Sequence, residues 1–361
     1  MRSEPKKTIK LAPTARALVS GGLLATCLAF GTSAQASLMF NFDYSGNAAG
    51  VGFLDTTYGT DRQAALVQAG EKFSQLFGTY FSDSATITLA VKSTDLDNGN
   101  LASAGSELAW GGTPGFTLGE VVQRKLQTGG VTDLNGAAAD GEVQVNFFND
   151  WVLGYNTAPT GDQYDFYSTL FHEFTHAIGF ASTISEAGRD VFGSGGDNDG
   201  GQWSKFDSFL VQCDSGANLI NTTNYEINQA AWDSAHVGGG NSAASSGACF
   251  NGTNAVAVNG GLVDLYAPST WSGGSSVSHL NTDNPQFNNG TQQDLGAMMR
   301  HNGAPGSFDT RGWSSIEVAM LTDLGYTRVS TNNNVPEPGS LALLLAGLAG
   351  AAMVRRRTSK A

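Results

Sequence analysis

The sequence predicts an α+β domain, on three observations. Phe40-Asn41-Phe42-Asp43-Tyr44, the run through Ile87, Leu89 and Val91, and the run through Val143, Val145 and Phe147 all alternate with the two-residue period of strands. Arg62 to Tyr80 turns Leu66, Ala69, Phe73, Leu76 and Tyr80 to one side, the stripe of an amphipathic helix. A second helix is expected where Tyr167, Leu170, Phe171, Phe174 and Ile178 recur at helical spacing. Together these make an upper lobe of mixed sheet and helices. Beyond Thr183 the chain becomes rich in Gly, Ser and Asn, so the lower lobe is expected to be irregular, closed by a helix from Ser315 to Leu324. There is no internal repeat.

The two ends have a different character. Residues 1–36 read as a secretory signal removed by signal peptidase: basic Lys6, Lys7, Lys10 and Arg16, an apolar stretch Ala17 to Phe30, then Ala34-Gln35-Ala36. Leu24-Ala25-Thr26-Cys27 has the outline of a lipoprotein site, but cleavage before Ser37 is the better fit. Residues 332–361 hold Val335-Pro336-Glu337-Pro338-Gly339, an apolar run from Leu341 to Val354, and Arg355-Arg356-Arg357. This resembles a PEP-CTERM sorting tail, which implies a Gram-negative envelope or extracellular destination and an exosortase-type enzyme as partner. The bland alternative is an ordinary membrane anchor, for which the run is short. Either way the tail implies at least a transient membrane tether, with its arginines on the inner side.

Between these ends lies the body, residues 37–331. Nine of the 19 Lys and Arg fall in the end segments but only two of the 32 acids, which leaves the body at about −20 by formal charge. A surface this acidic excludes nucleic acid as a partner, because phosphate contacts need a basic face. Its ordinary meaning is solubility outside the cell. Two cysteines remain once the signal is gone, Cys213 and Cys249. In an oxidising compartment one disulfide between them is the natural reading, with two buried free thiols the alternative.

The reactive stretch is Phe171-His172-Glu173-Phe174-Thr175-His176-Ala177-Ile178-Gly179. On a helix, residues four apart share a face, so His172 and His176 can present imidazoles to one Zn²⁺ while Glu173 reaches an adjacent water as general base. Such a site needs a third protein ligand. The position three past Gly179 is Ser182, a poor ligand, and the other histidines are His236, His279 and His301. A downstream glutamate, Glu186 or Glu226, is a further alternative.

The segments Gly273-Gly274-Ser275-Ser276-Val277-Ser278-His279-Leu280-Asn281 and Leu295-Gly296-Ala297-Met298-Met299-Arg300 resemble those of leishmanolysin-like metzincins. Leu265-Tyr266-Ala267-Pro268 and Val318 to Tyr326 are similar to that family too, so the likeness runs from about Asp165 to Tyr326. It implies a zincin-type catalytic domain in which residues 183–278 are an insertion between the second and third zinc ligands. It further implies that His279 is the third ligand, Met299 the residue of a methionine turn beneath the metal, and a protein or peptide the substrate. Asn281 departs from the pattern, where relatives commonly carry an acid.

Three further features stay open. Asp190 with Gly193-Ser194-Gly195-Gly196-Asp197-Asn198-Asp199-Gly200-Gly201 could hold Ca²⁺, but the stretch lacks a complete EF-hand pattern and reads first as a solvated loop. His236 and His301 read as surface residues, with oxyanion stabilisation the sharper alternative; Tyr266 is unresolved and Tyr326 reads as core. A scaffold that keeps a zincin fold without catalysis is the rival to an exported zinc endopeptidase, although a scaffold has no use for Glu173.

Overall fold

Burial of alternate side chains turns three of the expected strands into one sheet. The computed structural model describes residues 37–196, 199–237, 247–282, 296–306 and 308–330, all within one compact unit spanning Ala36–Ala361. The signal segment, the sorting tail, and Asp197 and Asn198 of the Gly-rich loop lie outside the described residues. Strands β1 (Met39–Asp43), β2 (Thr86–Thr94), β3 (Ala102–Ser106) and β6 (Gly141–Asn146) form a sheet in the order β1-β2-β6-β3. The pairs β1-β2 and β2-β6 are parallel, whereas β3 runs antiparallel to β6 and is an edge. Ile87, Leu89, Val91, Val143 and Val145 are all buried, as their alternation requires.

Helix α1 (Gly59–Tyr80) crosses from β1 to β2 and lies close on the sheet, because Gly70 lets the Phe40 and Phe42 rings approach; a Cβ there would stand 3.1 Å from Phe42. Helix α3 (Phe166–Ala177) packs beside it. Phe40 meets both helices, through Phe73 at 6.0 Å and Phe174 at 4.8 Å, so they share one face of the sheet. Phe73 meets Phe171 and Trp313 edge-on at 5.7 and 5.4 Å, and Phe77 meets Tyr326 at 5.5 Å. Burial of these rings is the main stabilising term for the upper lobe, each fully buried aromatic contributing on the order of 2–3 kcal/mol.

Short pairs β4 (Leu108–Ala109) with β5 (Gly119–Glu120) lead into α2 (Val121–Gln127), and β7 (Trp151–Val152) pairs with β8 (Tyr164–Asp165) just before α3. The region expected to be irregular is more ordered than that expectation. Residues 183–278 contain an antiparallel sheet β11-β10-β9, made of β9 (Leu210–Gln212), β10 (Ala248–Phe250) and β11 (Val263–Asp264), with α4 (Gln229–Ala235) and α5 (Thr253–Asn259). Its strands are too short to show a two-residue period, which hid them in the sequence. Cys213, just past β9, is bonded to Cys249 on β10, with Cα atoms 5.1 Å apart. The closing helix α6 (Ser315–Asp323) ends one residue earlier than expected and starts with a capping box between Ser314 and Glu317.

Candidate metal centre

The site is built outward from α3. Its first turn is fixed by Asp165, whose carboxylate accepts from Tyr167 N–H at 3.1 Å and also holds Arg311 in a two-point ion pair at 2.8 and 2.6 Å. One face of the helix, with Phe166, Tyr167, Leu170, Phe171 and Phe174, is sealed in the core. The opposite face brings His172, Glu173 and His176 to a cavity of about 900 Å³. After Ala177 the helix stops, and Gly179 takes φ +100°, a left-handed turn that a side chain would resist.

His279 joins the pair from 103 residues beyond His176 in the chain. Its segment is pinned on both sides: Leu280 bridges to Leu265 and Arg300, and Tyr266 N–H donates to the His279 carbonyl at 2.8 Å. Val277, two residues before it, sits at φ +63°, a left-handed conformation costly for a β-branched residue. Its side chain is fully buried, so packing and the Val277 N–H bond to the Tyr266 carbonyl at 2.8 Å hold it there.

The three Nε2 atoms converge to 3.0, 3.1 and 3.1 Å of one another. Each Nδ1 faces a backbone carbonyl: Met298 for His172 at 2.7 Å, Phe180 for His176 at 2.7 Å, and Ser275 for His279 at 2.9 Å. A carbonyl accepts only, so every ring keeps its proton on Nδ1 and turns an Nε2 lone pair inward. Burial holds all three rings below the usual histidine range, His176 at about 3, and the mutual effect of the rings pushes His176 and His279 the same way. Three neutral imidazoles with lone pairs this close repel unless a cation lies among them. Tetrahedral coordination at about 2.0–2.1 Å would separate the nitrogens by about 3.4 Å, so the three need only spread by a few tenths of an ångström to hold one small cation.

Glu173 lies beside them, 8% exposed. Its Oε2 accepts from Ala104 N–H of β3 at 3.0 Å, and burial pushes the carboxyl up to about 8. Because β3 is the sheet edge, this N–H points away from β6 toward α3, and the strand's residues line the cavity.

The two methionines divide the contacts beneath the site. Met298 gives its carbonyl to His172 and receives Thr175 Oγ1 at its sulfur, 3.4 Å away. Met299 is fully buried; its N–H donates to Glu317 at 2.6 Å, and its carbonyl accepts from Leu280 N–H at 2.8 Å. Glu317 therefore ties α6 to the Met298-Met299 turn. Burial pushes its carboxyl up to about 7, while N–H groups of Met299, Ser314 and Met298 oppose that rise. Glu317 is not among the residues singled out from the sequence, although its Ser314-x-x-Glu317 spacing before an apolar run is that of a capping box.

Ser182 lines the cavity but donates its hydroxyl to Asp207 at 2.7 Å. Glu186 and Glu226 are not among the cavity's lining residues, which removes the geometric basis for either as third ligand. Asp190 accepts from the N–H groups of Phe192, Ser194 and Gln202 at 2.7–2.9 Å, so its carboxylate organises its own loop. His236 stacks on Trp232 away from the cavity, whereas His301 lines it and stacks on Tyr266 at 3.7 Å. Tyr326 is core, its hydroxyl donating to Ile178 at 2.7 Å.

Comparison with known proteins bears on the C-terminal end. The curated proteins show no match to the chain. Residues 334–357 match the family model of the PEP-CTERM protein-sorting motif. The chain thus carries a tail of the kind that exosortase-type enzymes recognise, which indicates export and sorting to the cell envelope or surface of a bacterium, typically Gram-negative.

Proposed function

We propose that the chain is an exported zinc-dependent endopeptidase with a zincin-type body, as its likeness to leishmanolysin-like metzincins implies. The observation that carries this reading is the convergence of three Nε2 lone pairs, each aimed by a carbonyl behind its ring, with a carboxylate alongside. His172, His176 and His279 would hold the ion, their neutral state and outer hydrogen bonds being those of zinc-binding histidines. Bound there, zinc would supply Lewis acidity toward a peptide carbonyl and lower the pKa of water toward about 7.

The chain's own residues do the rest. Glu173, held at Oε2 by Ala104 N–H and ionised where a cation at the three histidines offsets its burial, takes a proton from the attacking water and passes it to the leaving amine. Apart from the Ala104 N–H that Glu173 takes, the outer edge of β3 offers backbone groups with which an extended peptide can pair along the cavity. A scaffold that has lost catalysis would not need a carboxylate kept 8% exposed at this point, where burial works against its charge.

The test is casein or gelatin cleavage by the purified, zinc-loaded chain beside its Glu173→Gln form. Cleavage by the first with a loss of at least about 100-fold in the second, the scale of general-base catalysis, is the expected result. Zinc binding by both without cleavage by either would favour the scaffold.

A further inference from the structure

A second cavity, of about 500 Å³, shares no lining residue with the one at the histidines. Its walls are mostly apolar: Tyr80 at the end of α1, Ala257 and Val258 on α5, Trp313 just before α6, and Val318 and Ala319 on α6. Val258 is 48% exposed at this groove. A single charged side chain lines it, the exposed Arg328, whose guanidinium lies 5.7 Å from the centres of the Tyr80 and Phe81 rings. Among the described residues no carboxylate pairs with Arg328.

The path of the chain leads to this groove. Ser82 N–H donates to the Thr327 carbonyl and Val329 N–H to the Tyr80 carbonyl, each at 2.9 Å, and Phe81 bridges Arg328 in antiparallel fashion. The chain therefore runs back past Phe81 toward Tyr80, a wall of the groove, and the described residues end at Ser330. Val335-Pro336-Glu337-Pro338 follows after residues 331–334. An extended chain from Ser330 reaches up to about 20 Å by Pro336, well beyond the width of a cavity of this volume.

The tail supplies what the groove would select. Glu337 is the one acid in residues 331–361, and a proline stands on either side of it. Proline pre-sets an extended backbone, so such a segment loses little chain entropy on binding, and aromatic-lined grooves take it by packing rings on its pyrrolidines. Tyr80 and Trp313, with ring centres 5.9 Å apart, are the rings of this groove. We propose that Val335-Pro336-Glu337-Pro338 docks in the Tyr80–Trp313 groove of its own chain, with Glu337 on Arg328. The short connection through residues 331–334 gives the segment an effective concentration that a separate partner would not match. The sorting motif spans residues 334–357, so a docked segment is withheld from the enzyme that recognises it. The contact is independent of the chemistry at the metal centre.

The test is photo-crosslinking within the full chain, purified with its tail in a mild detergent. The photoreactive residue p-benzoylphenylalanine replaces Val335, and the peptides joined by irradiation are identified by mass spectrometry. Links should run to the peptides that hold Tyr80, Val258 or Trp313. Arg328→Glu should lower their yield at least about threefold by setting like charges together, and Glu337→Lys in the same chain should restore it. Val258→Asp, at an exposed site on a different element, should lower the yield without a charge partner to rescue it, and decides the matter if Arg328→Glu does not fold. Links scattered over other surfaces, or a yield unchanged by both Arg328→Glu and Val258→Asp, overturn the docking. Links that join two chains instead of one overturn it as well and assign the groove to the tail of a second copy.

Discussion

Two of the three histidines are held by local geometry and the third by closure over a distance. His172 and His176 face one way because a helix repeats every 3.6 residues, and that helix is locked by ring packing against Phe40 and Phe73. His279 depends on a left-handed Val277, two bridges at Leu280 and a turn fastened by Glu317. The first arrangement survives wherever α3 folds, whereas the second exists only when the lower lobe has closed. Disturbing the lower lobe should therefore cost metal affinity before it costs the fold.

The largest expected effect is on His279, the proposed third ligand. His279→Ala should weaken zinc binding by well over the roughly 100-fold that loss of an outer-shell partner costs, with α-helical circular dichroism unchanged. Ser182→Ala should retain zinc and lose about 1 kcal/mol through its hydrogen bond to Asp207. Equilibrium zinc competition with a chelator reads both, and the opposite ranking would remove His279 from the site.

Next in size is the disulfide. It closes a span of 36 residues within the lower lobe, worth about 3–4 kcal/mol by loop entropy. Cys213→Ser with Cys249→Ser should lower the stability of the zinc-free protein by that amount in urea. Thiol alkylation of the unreduced protein, followed by mass measurement, should leave both wild-type cysteines unlabelled.

Glu317→Ala comes third. It strips the acceptor from the Met299 and Ser314 N–H groups, each at 2.6 Å, and costs about 3 kcal/mol. Because His172 leans on the Met298 carbonyl in the same turn, zinc should weaken by about 10–100-fold as well. Lost stability with unchanged zinc affinity would show that the turn does not support the site.

What could be read from the sequence divides along the same line. Helix α3 was legible because its apolar positions and its two histidines share one short period. The strands around Ile87 and Val143 were legible because burial on one face leaves an alternating pattern. Strand β3, Ala102–Ser106, was not: as an edge of small residues it has no apolar alternation, yet it supplies the N–H that holds Glu173. Glu317 was missed, as was Glu120, a cavity-lining acid only 6% exposed, because a buried acid looks like a solvated one until its neighbours are known. His279 could be chosen over Glu186 or Glu226 only by resemblance, since nothing local in a segment of Gly and Ser states which distant group it will meet.

Glu120 gives a pH dependence of known sign. Burial and the negative charge of Asp207 raise its folded pKa to about 8, above the ordinary 4.5, so the folded protein holds this proton more tightly than the unfolded chain. The stability associated with it is complete below about pH 4.5 and is lost as pH rises toward 8, by at most about 1.4 kcal/mol per unit. Glu120→Gln, which cannot ionise, should match wild type near pH 5 and be the more stable of the two at pH 8. Parallel curves across that range would mean that Glu120 is neutralised by another group.

The smallest effect measures the strain behind His279. Val145 and Val277 are both fully buried, but Val145 lies in β6 with regular strand geometry and Val277 sits at φ +63°. Valine to glycine at either site removes three buried carbons, about 2.4 kcal/mol, and adds about 0.5–1 kcal/mol of chain entropy. At Val277 the left-handed conformation costs the wild type about 1–2 kcal/mol, and glycine relieves it. Val145→Gly should therefore lose about 3 kcal/mol and Val277→Gly only about 1–2, read from urea midpoints at excess zinc with the slope unchanged. Equal losses would mean that Val277 stores no strain, and that the turn before His279 is held by its hydrogen bonds alone.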